Sequence, residues 1–279
     1  MSILTPPAPP ASTPPSPPHP TDPALRRLLA AGAAIFALAA VAGGALMLLG
    51  MLARDTEVVT DSYADVRALR VDSGSGDVTI VQGARGTPVR VSARVTRSFS
   101  APERLDRVEG GVLRLAANCR SWLGLDCHVD YDVSVPPGMR ISAFVGSGNT
   151  RIAGVRSTAP LVAHGGSGDL DLRDVSAPSV DLRVGSGDIT SDLRRSDSIR
   201  AELGSGDLTL AVGGVPRRVR TVTGSGNIQL TVPATSYRID TRTGSGGVTA
   251  DAALAENDRA PRRLFVSTGS GDIDLRAGG

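Results

Sequence analysis

The stretch Val184–Ser191 reads VGSGDITS: two glycines around a serine, then an acid and an aliphatic residue. Taken alone it suits a phosphate loop, a calcium loop or a turn. Its recurrence decides the matter. The tripeptide GSG occurs eight times, at Gly74–Gly76, Gly146–Gly148, Gly166–Gly168, Gly185–Gly187, Gly204–Gly206, Gly224–Gly226, Gly244–Gly246 and Gly269–Gly271. From Gly146 to Gly244 the steps are 20, 19, 19, 20 and 20 residues. A fixed period in this range marks a stacked, quasi-one-dimensional fold.

Apolar residues alternate with polar ones on both sides of each tripeptide, the period of a half-buried strand. Five residues before the first glycine stand Leu69, Ile141, Leu161, Val180, Ile199, Val219, Ile239 and Leu264. Four after it stand Val78, Thr150, Leu170, Ile189, Leu208, Ile228, Val248 and Ile273, and six after it Ile80, Ile152, Leu172, Ser191, Leu210, Leu230, Ala250 and Leu275. The parity is odd before the tripeptide and even after it, so an unbroken strand would send one set to solvent. The chain must turn or bulge there, and glycine takes positive φ without steric cost. Each copy is thus a strand, a corner, a second strand and a connector. The expected fold is all-β: a β-solenoid, specifically a right-handed single-stranded β-helix, since strand crossovers favour that hand.

The interval between Gly74 and Gly146 is too long for one copy. Residues 81–140 are expected to form an antiparallel insertion or cap, with Cys119 and Cys127 joined as a disulfide and Trp122 in its small core. The long step to Gly269 places Glu256–Arg263, ENDRAPRR, in a loop bulging from the last copy.

Ahead of the repeats, residues 1–25 are a proline-rich tail with little to bury, expected to be disordered. Residues 28–53 carry no charge, and as a helix they would span roughly 39 Å at ~1.5 Å per residue, more than a bilayer core of roughly 30 Å. A transmembrane helix is therefore expected over 26–54, inserted in the lipid bilayer through residues 28–53. Arg26 and Arg27 precede the run, and Asp55, Glu57 and Asp61 follow it. The positive-inside bias then puts the tail in the cytoplasm and residues 55–279 in an extracytoplasmic domain.

Charge sets limits on partners. Thirty arginines, with no lysine, face 28 acidic residues, so no net field draws in nucleic acid. Arg217, Arg218 and Arg220, with Arg262 and Arg263, are candidates for contact with acidic polymers, although solvated surface is the expected state of such arginines. A phosphate loop would open a helix, not eight strands. No G-x-S-x-G elbow surrounds these serines, and His19, His128 and His164 share no repeat position, so no catalytic residues, cofactor or small-molecule substrate are expected. Calcium is the remaining ionic candidate, because Asp169, Asp188 and Asp207 would stack on consecutive copies. Carboxylates about 4.8 Å apart repel by roughly 0.9 kcal/mol in water, which is tolerable without an ion. The expected role of these residues is turn capping.

The repeated GSGD, the single apolar anchor, and CHVDYDVSVPPGMRI leading into VGSGN resemble the bacterial "putative adhesin" β-strand-repeat family, whose function is unknown. The resemblance spans about residues 56–279. It implies an extracytoplasmic β-helix engaged in adhesion, envelope organisation or envelope-stress signalling, and it transfers no catalytic residue. The expected function is that of a membrane-anchored, adhesin-like binding or scaffold protein whose partner is a cell-envelope protein or wall polymer. The alternatives are an envelope-stress sensor signalling through its helix, a calcium-binding β-roll and a solenoid polysaccharide-active enzyme.

Overall fold

The computed structural model describes residues 23–52, 55–97, 103–118 and 127–278. Two compact units divide the chain, residues 1–52 and 53–279. In the first, a single helix runs Pro23–Leu52. From Ala30 to Ala45 its side chains are exposed, among them Ile35, Phe36, Leu38 and Val41. Among the described residues no helix is long and apolar enough to cross a membrane. The transmembrane segment expected over 26–54 is helical through Leu52, where its description stops, but does not meet that standard within the described side chains, which omit residues 26, 28, 29 and 46–54.

The second unit is all β, in two long sheets. Strands that precede a GSG corner fill one sheet and strands that follow it fill the other, paired parallel and in register with their counterparts in the next copy. Val180 lies beside Ile199, and Ile199 beside Val219; across the corner, Ile189 lies beside Leu208, and Leu208 beside Ile228. Register follows from burial: a one-residue slip would turn each apolar row outward. The rows five before and four after the first glycine are buried in seven of the eight copies, with Ile189 and Ile199 each 1% exposed. A third inner row, directly before the glycine, includes Val145, Val184, Leu203, Thr223 and Thr268, all buried.

The copies do not stack in chain order at either end. Arg263–Ser270 lies between Arg218–Ser225 and Ser236–Ser245, so the Gly269 copy sits inside and the earlier Gly244 copy is outermost. At the other end Ala68–Ser75 pairs with Arg140–Ser147 on one side and Val112–Asn118 on the other. Val78–Gln82 lies likewise between Thr150–Ala153 and Cys127–Val135. Among the described residues the column therefore has nine rungs, not eight, and the extra one comes from the segment expected to be an antiparallel insertion or cap. Only part of residues 81–140 is antiparallel. Val89–Arg97 pairs antiparallel with both Asp55–Tyr63 and Cys127–Val135, and Arg107–Glu109 turns back on Val112–Asn118. The expected continuous coil is corrected accordingly: a copy closes its apolar face against whichever neighbour completes the row, and chain order yields to that.

Being outermost explains the one copy whose inner rows are open. Val248 is 44% exposed, and Ile239 is only partly buried. Trp122 and Cys119 lie outside the described residues, as does the side chain of Cys127, so the expected disulfide and the expected tryptophan core fall there too. Within Glu256–Arg263, Glu256 pairs beside Tyr237 and Arg263 already belongs to the next strand, so the bulge is shorter than expected.

Candidate functional site

The corner was the first candidate. Its second glycine has φ between +110° and +134° in all eight copies, as at Gly187 with +124°. The first glycine has no such φ, and its reason is spatial. A Cβ on Gly185 would lie 2.5 Å from the carbonyl oxygen of Gly166 in the rung below. Sequence parity exposed the turn but not this rung-to-rung approach.

The residue after each corner links the rungs on either side of it. Asp188 N–H donates to Oδ1 of Asp169 at 2.9 Å, Asp207 N–H to Oδ1 of Asp188 at 2.8 Å, and Asn227 N–H to Oδ1 of Asp207 at 2.8 Å. The series begins at Asp130, which accepts from Asp77 N–H, and passes through Asn149 and Asp272 to Gly247, whose N–H donates to Asp272. Each side chain therefore caps the next rung's amide and not its own turn. Gly247 stands at the one rung with no follower to cap, which accounts for the exception in the motif. Asp130 was missed because its rung lacks the GSG signal. Asp169, Asp188 and Asp207 are brought into one column, each with an oxygen committed to a backbone donor. Among the described residues no group of three or more His, Cys, Asp or Glu is placed to hold a metal ion.

Open grooves run over the outer face of the sheet made by the strands before the corner, and two of them gather aromatic and charged side chains. One, about 440 Å³, is lined by Asp72, Gly74, Phe144, Gly146, His164 and Gly166. There the Arg70 guanidinium lies 4.5 Å from the Phe144 ring centre, and the His164 ring meets Phe144 edge-on at 5.2 Å. His164 also lies 3.4 Å from an oxygen of Asp181. The other, about 260 Å³, gathers Arg218, Arg220, Arg238, Asp240, Arg263 and Phe265. It unites three of the five arginines noted in the sequence. Arg238 escaped notice because it comes from another copy, and Phe265, two residues beyond Arg263 on the same strand, because a lone aromatic does not announce the arginines of the neighbouring rungs. At the opposite end of the column, Arg104 pairs with Asp106 and, at 3.1 Å, with Asp61, while the Tyr131 hydroxyl lies 3.3 Å from Asp106. Burial, reinforced by Asp106, pushes the Tyr131 phenol well above its ordinary range. His128 stands apart in Cys127–Val135, and His19 lies outside the described residues.

Across residues 129–277, more than half of the chain, the sequence matches the Toastrack DUF4097 family. The chain belongs to that family. The Toastrack match opens at the rung that supplies Asp130 and runs to the Gly269 copy. No curated protein matches the chain. Solved structures of similar architecture include a "putative lipid binding protein" from Parabacteroides distasonis, 15% identical over 79% of this chain and 96% of its own, with a TM-score of 0.49. A "putative adhesin" from the same species is 14% identical over 78% and 97%, with a TM-score of 0.44. Another from Bacteroides fragilis is 12% identical over 79% and 97%, with a TM-score of 0.40.

Proposed function

We propose that this Toastrack protein is an extracytoplasmic, adhesin-like binding or scaffold module of the bacterial envelope, held at the membrane by the helix Pro23–Leu52. The observation that carries this reading is the outer face of the column. Outward side chains from successive rungs stand in register one rung, about 4.8 Å, apart, on a scaffold whose interior is closed by apolar rows. Solenoids use such extended repeating faces to bind extended partners. The charge-free run at residues 28–53, flanked by Arg26 and Arg27, supports membrane insertion with the tail inside, and right-handed crossovers suit the parallel rungs.

Two measurements test it. A reporter fused after Gly279 should be active outside the membrane and inactive inside. The purified full-length protein should be retained by isolated bacterial envelopes at physiological salt; passage without retention would refute the binding reading.

A further inference from the structure

On the outer face of the sheet before the corners, charge follows a rule that Arg114 and Arg140 break singly and that one groove breaks with four arginines together. Arginines there are answered by a carboxylate two residues away on the same strand: Arg70 by Asp72 at 2.7 Å, Arg183 by Asp181 at 3.2 Å, Arg242 by Asp240 at 3.4 Å, and Arg200 by Glu202. The other sheet repeats the device with Arg173 and Asp171, and with Arg276 and Asp274. In the Gly224 and Gly269 rungs the two positions hold Arg220 with Val222, and Phe265 with Ser267. Directly alongside, Arg218, Arg263 and Arg238 occupy one register position on three consecutive strands. Among the described residues no carboxylate lies in ion-pair reach of Arg218, Arg220, Arg238 or Arg263, and Asp240 is engaged by Arg242. Guanidinium groups held one rung apart repel by roughly 0.9 kcal/mol in water, and among the described residues no ion pair to these four offsets it.

The groove also holds its cations in place. Phe265 lies between rungs that supply Arg220, with its guanidinium 4.4 Å from the ring centre, and Arg242, at 5.4 Å. Stacking of this kind restricts the guanidinium groups before any ligand arrives and lowers the ordering cost of binding.

We propose that this groove binds a linear anionic glycan, a sugar polymer with carboxylates in its repeat, lying along the column axis so that successive carboxylates meet Arg218, Arg263 and Arg238. The proposal rests on the envelope-binding reading and deepens it by naming site and ligand class. The guanidinium fork matches a carboxylate with two parallel hydrogen bonds. A single small anion would engage at most two neighbours in a row that spans three rungs, whereas a polymer with a short repeat engages all of them. A nucleic acid is disfavoured because the groove holds a single aromatic ring, already engaged by Arg220 and Arg242, and no second ring on which successive bases could stack.

The test uses full-length protein in detergent against three probes: polygalacturonate, neutral dextran and single-stranded DNA. Polygalacturonate should bind with an affinity that falls as salt rises, and dextran should not bind. The double variant Arg218→Gln with Arg263→Gln should lose about tenfold or more in affinity for polygalacturonate, as expected when charge-assisted hydrogen bonds are removed. Its melting temperature should not fall. Arg70→Gln, at a paired arginine outside the groove, should lose less than about twofold. Unchanged binding by the double variant, or tighter binding to single-stranded DNA than to polygalacturonate, overturns the proposal. Retention of the double variant on isolated envelopes at the level of the parent sinks this site and leaves the binding reading standing. Loss of retention by parent and variant alike sinks both.

Discussion

Three glycine-to-alanine substitutions separate the two reasons for glycine at the corner. Gly86 has φ +78°, and a Cβ there would meet nothing within 4 Å, so Gly86→Ala isolates the dihedral cost, about 1 kcal/mol. Gly185 has an ordinary φ but would place its Cβ 2.5 Å from the Gly166 oxygen, a backbone atom that only a shift of the rung relieves; overpacking of this kind costs about 2 kcal/mol. Gly187 combines φ +124° with a Cβ position 2.4 Å from the Gly168 oxygen. That φ is nearly restricted to glycine, so strain and contact together should cost about 4 kcal/mol. Since a folded domain is stable by only ~5–15 kcal/mol, Gly187→Ala should lower the urea midpoint markedly, with the slope unchanged if the transition stays two-state. The assay is urea unfolding of the full-length protein followed by far-ultraviolet circular dichroism. If Gly187→Ala costs no more than Gly86→Ala, rung-to-rung contact is not what the corner glycines supply, and the stacking argument fails.

Three further outcomes are expected. The Thr221 hydroxyl is fully buried with no hydrogen-bond partner, so Thr221→Val should raise stability by about 1 kcal/mol in the same assay, and a loss would mean that the hydroxyl has a partner in solution. Asp188→Asn should leave the melting temperature nearly unchanged, because an amide oxygen accepts from the Asp207 N–H as Asn149 and Asn227 accept from their neighbours, whereas Asp188→Ala should cost about 1 kcal/mol; a calcium-dependent rise in melting temperature that Asp188→Asn reduces would sink the capping role. Because the folded Tyr131 phenol is raised chiefly by burial and next by Asp106, it stays protonated when the unfolded phenol ionises near pH ~10; stability should be flat in this term below that pH and fall above it, and Tyr131→Phe should shallow the alkaline loss measured by denaturation at stepped pH.

How far the sequence could be read depended on whether a feature is local or shared between copies. The inner rows, the two strands per copy and the turn at the tripeptide are local: period two and the parity change at Gly185–Gly187 determine them. The order of the rungs is not local. Ile239 and Leu264 are equally aliphatic and sit at equivalent repeat positions, and nothing in either distinguishes the outermost copy from the inner one. One clue was present, the glycine at position 247 where other copies carry Asp or Asn, but its meaning needs the direction of the amide ladder. The same limit applied to the arginine groove. Arg218, Arg220 and Arg263 stood out as clusters along the chain, while Arg238 joined them, and Phe265 met Arg220 and Arg242, only through the pairing of Arg263–Ser270 with strands on both sides.

The transposed Gly269 copy also bears on how the molecule is made. As the chain emerges from the ribosome, Ser236–Ala250 is synthesised before the strands that carry it, Arg263–Gly278, exist. Those residues cannot settle into their native place until the later segment has been threaded beneath them. A chain-ordered solenoid can accrete one turn at a time; here the final two turns must be completed as a single cooperative event. Truncation before residue 263 should therefore cost the column two turns, the deleted one and the Gly244 turn left without its support, and leave Ser236–Ala250 as an unfolded tail for proteases. The transposition thus links the outermost turn of the column to synthesis of the strands that carry it.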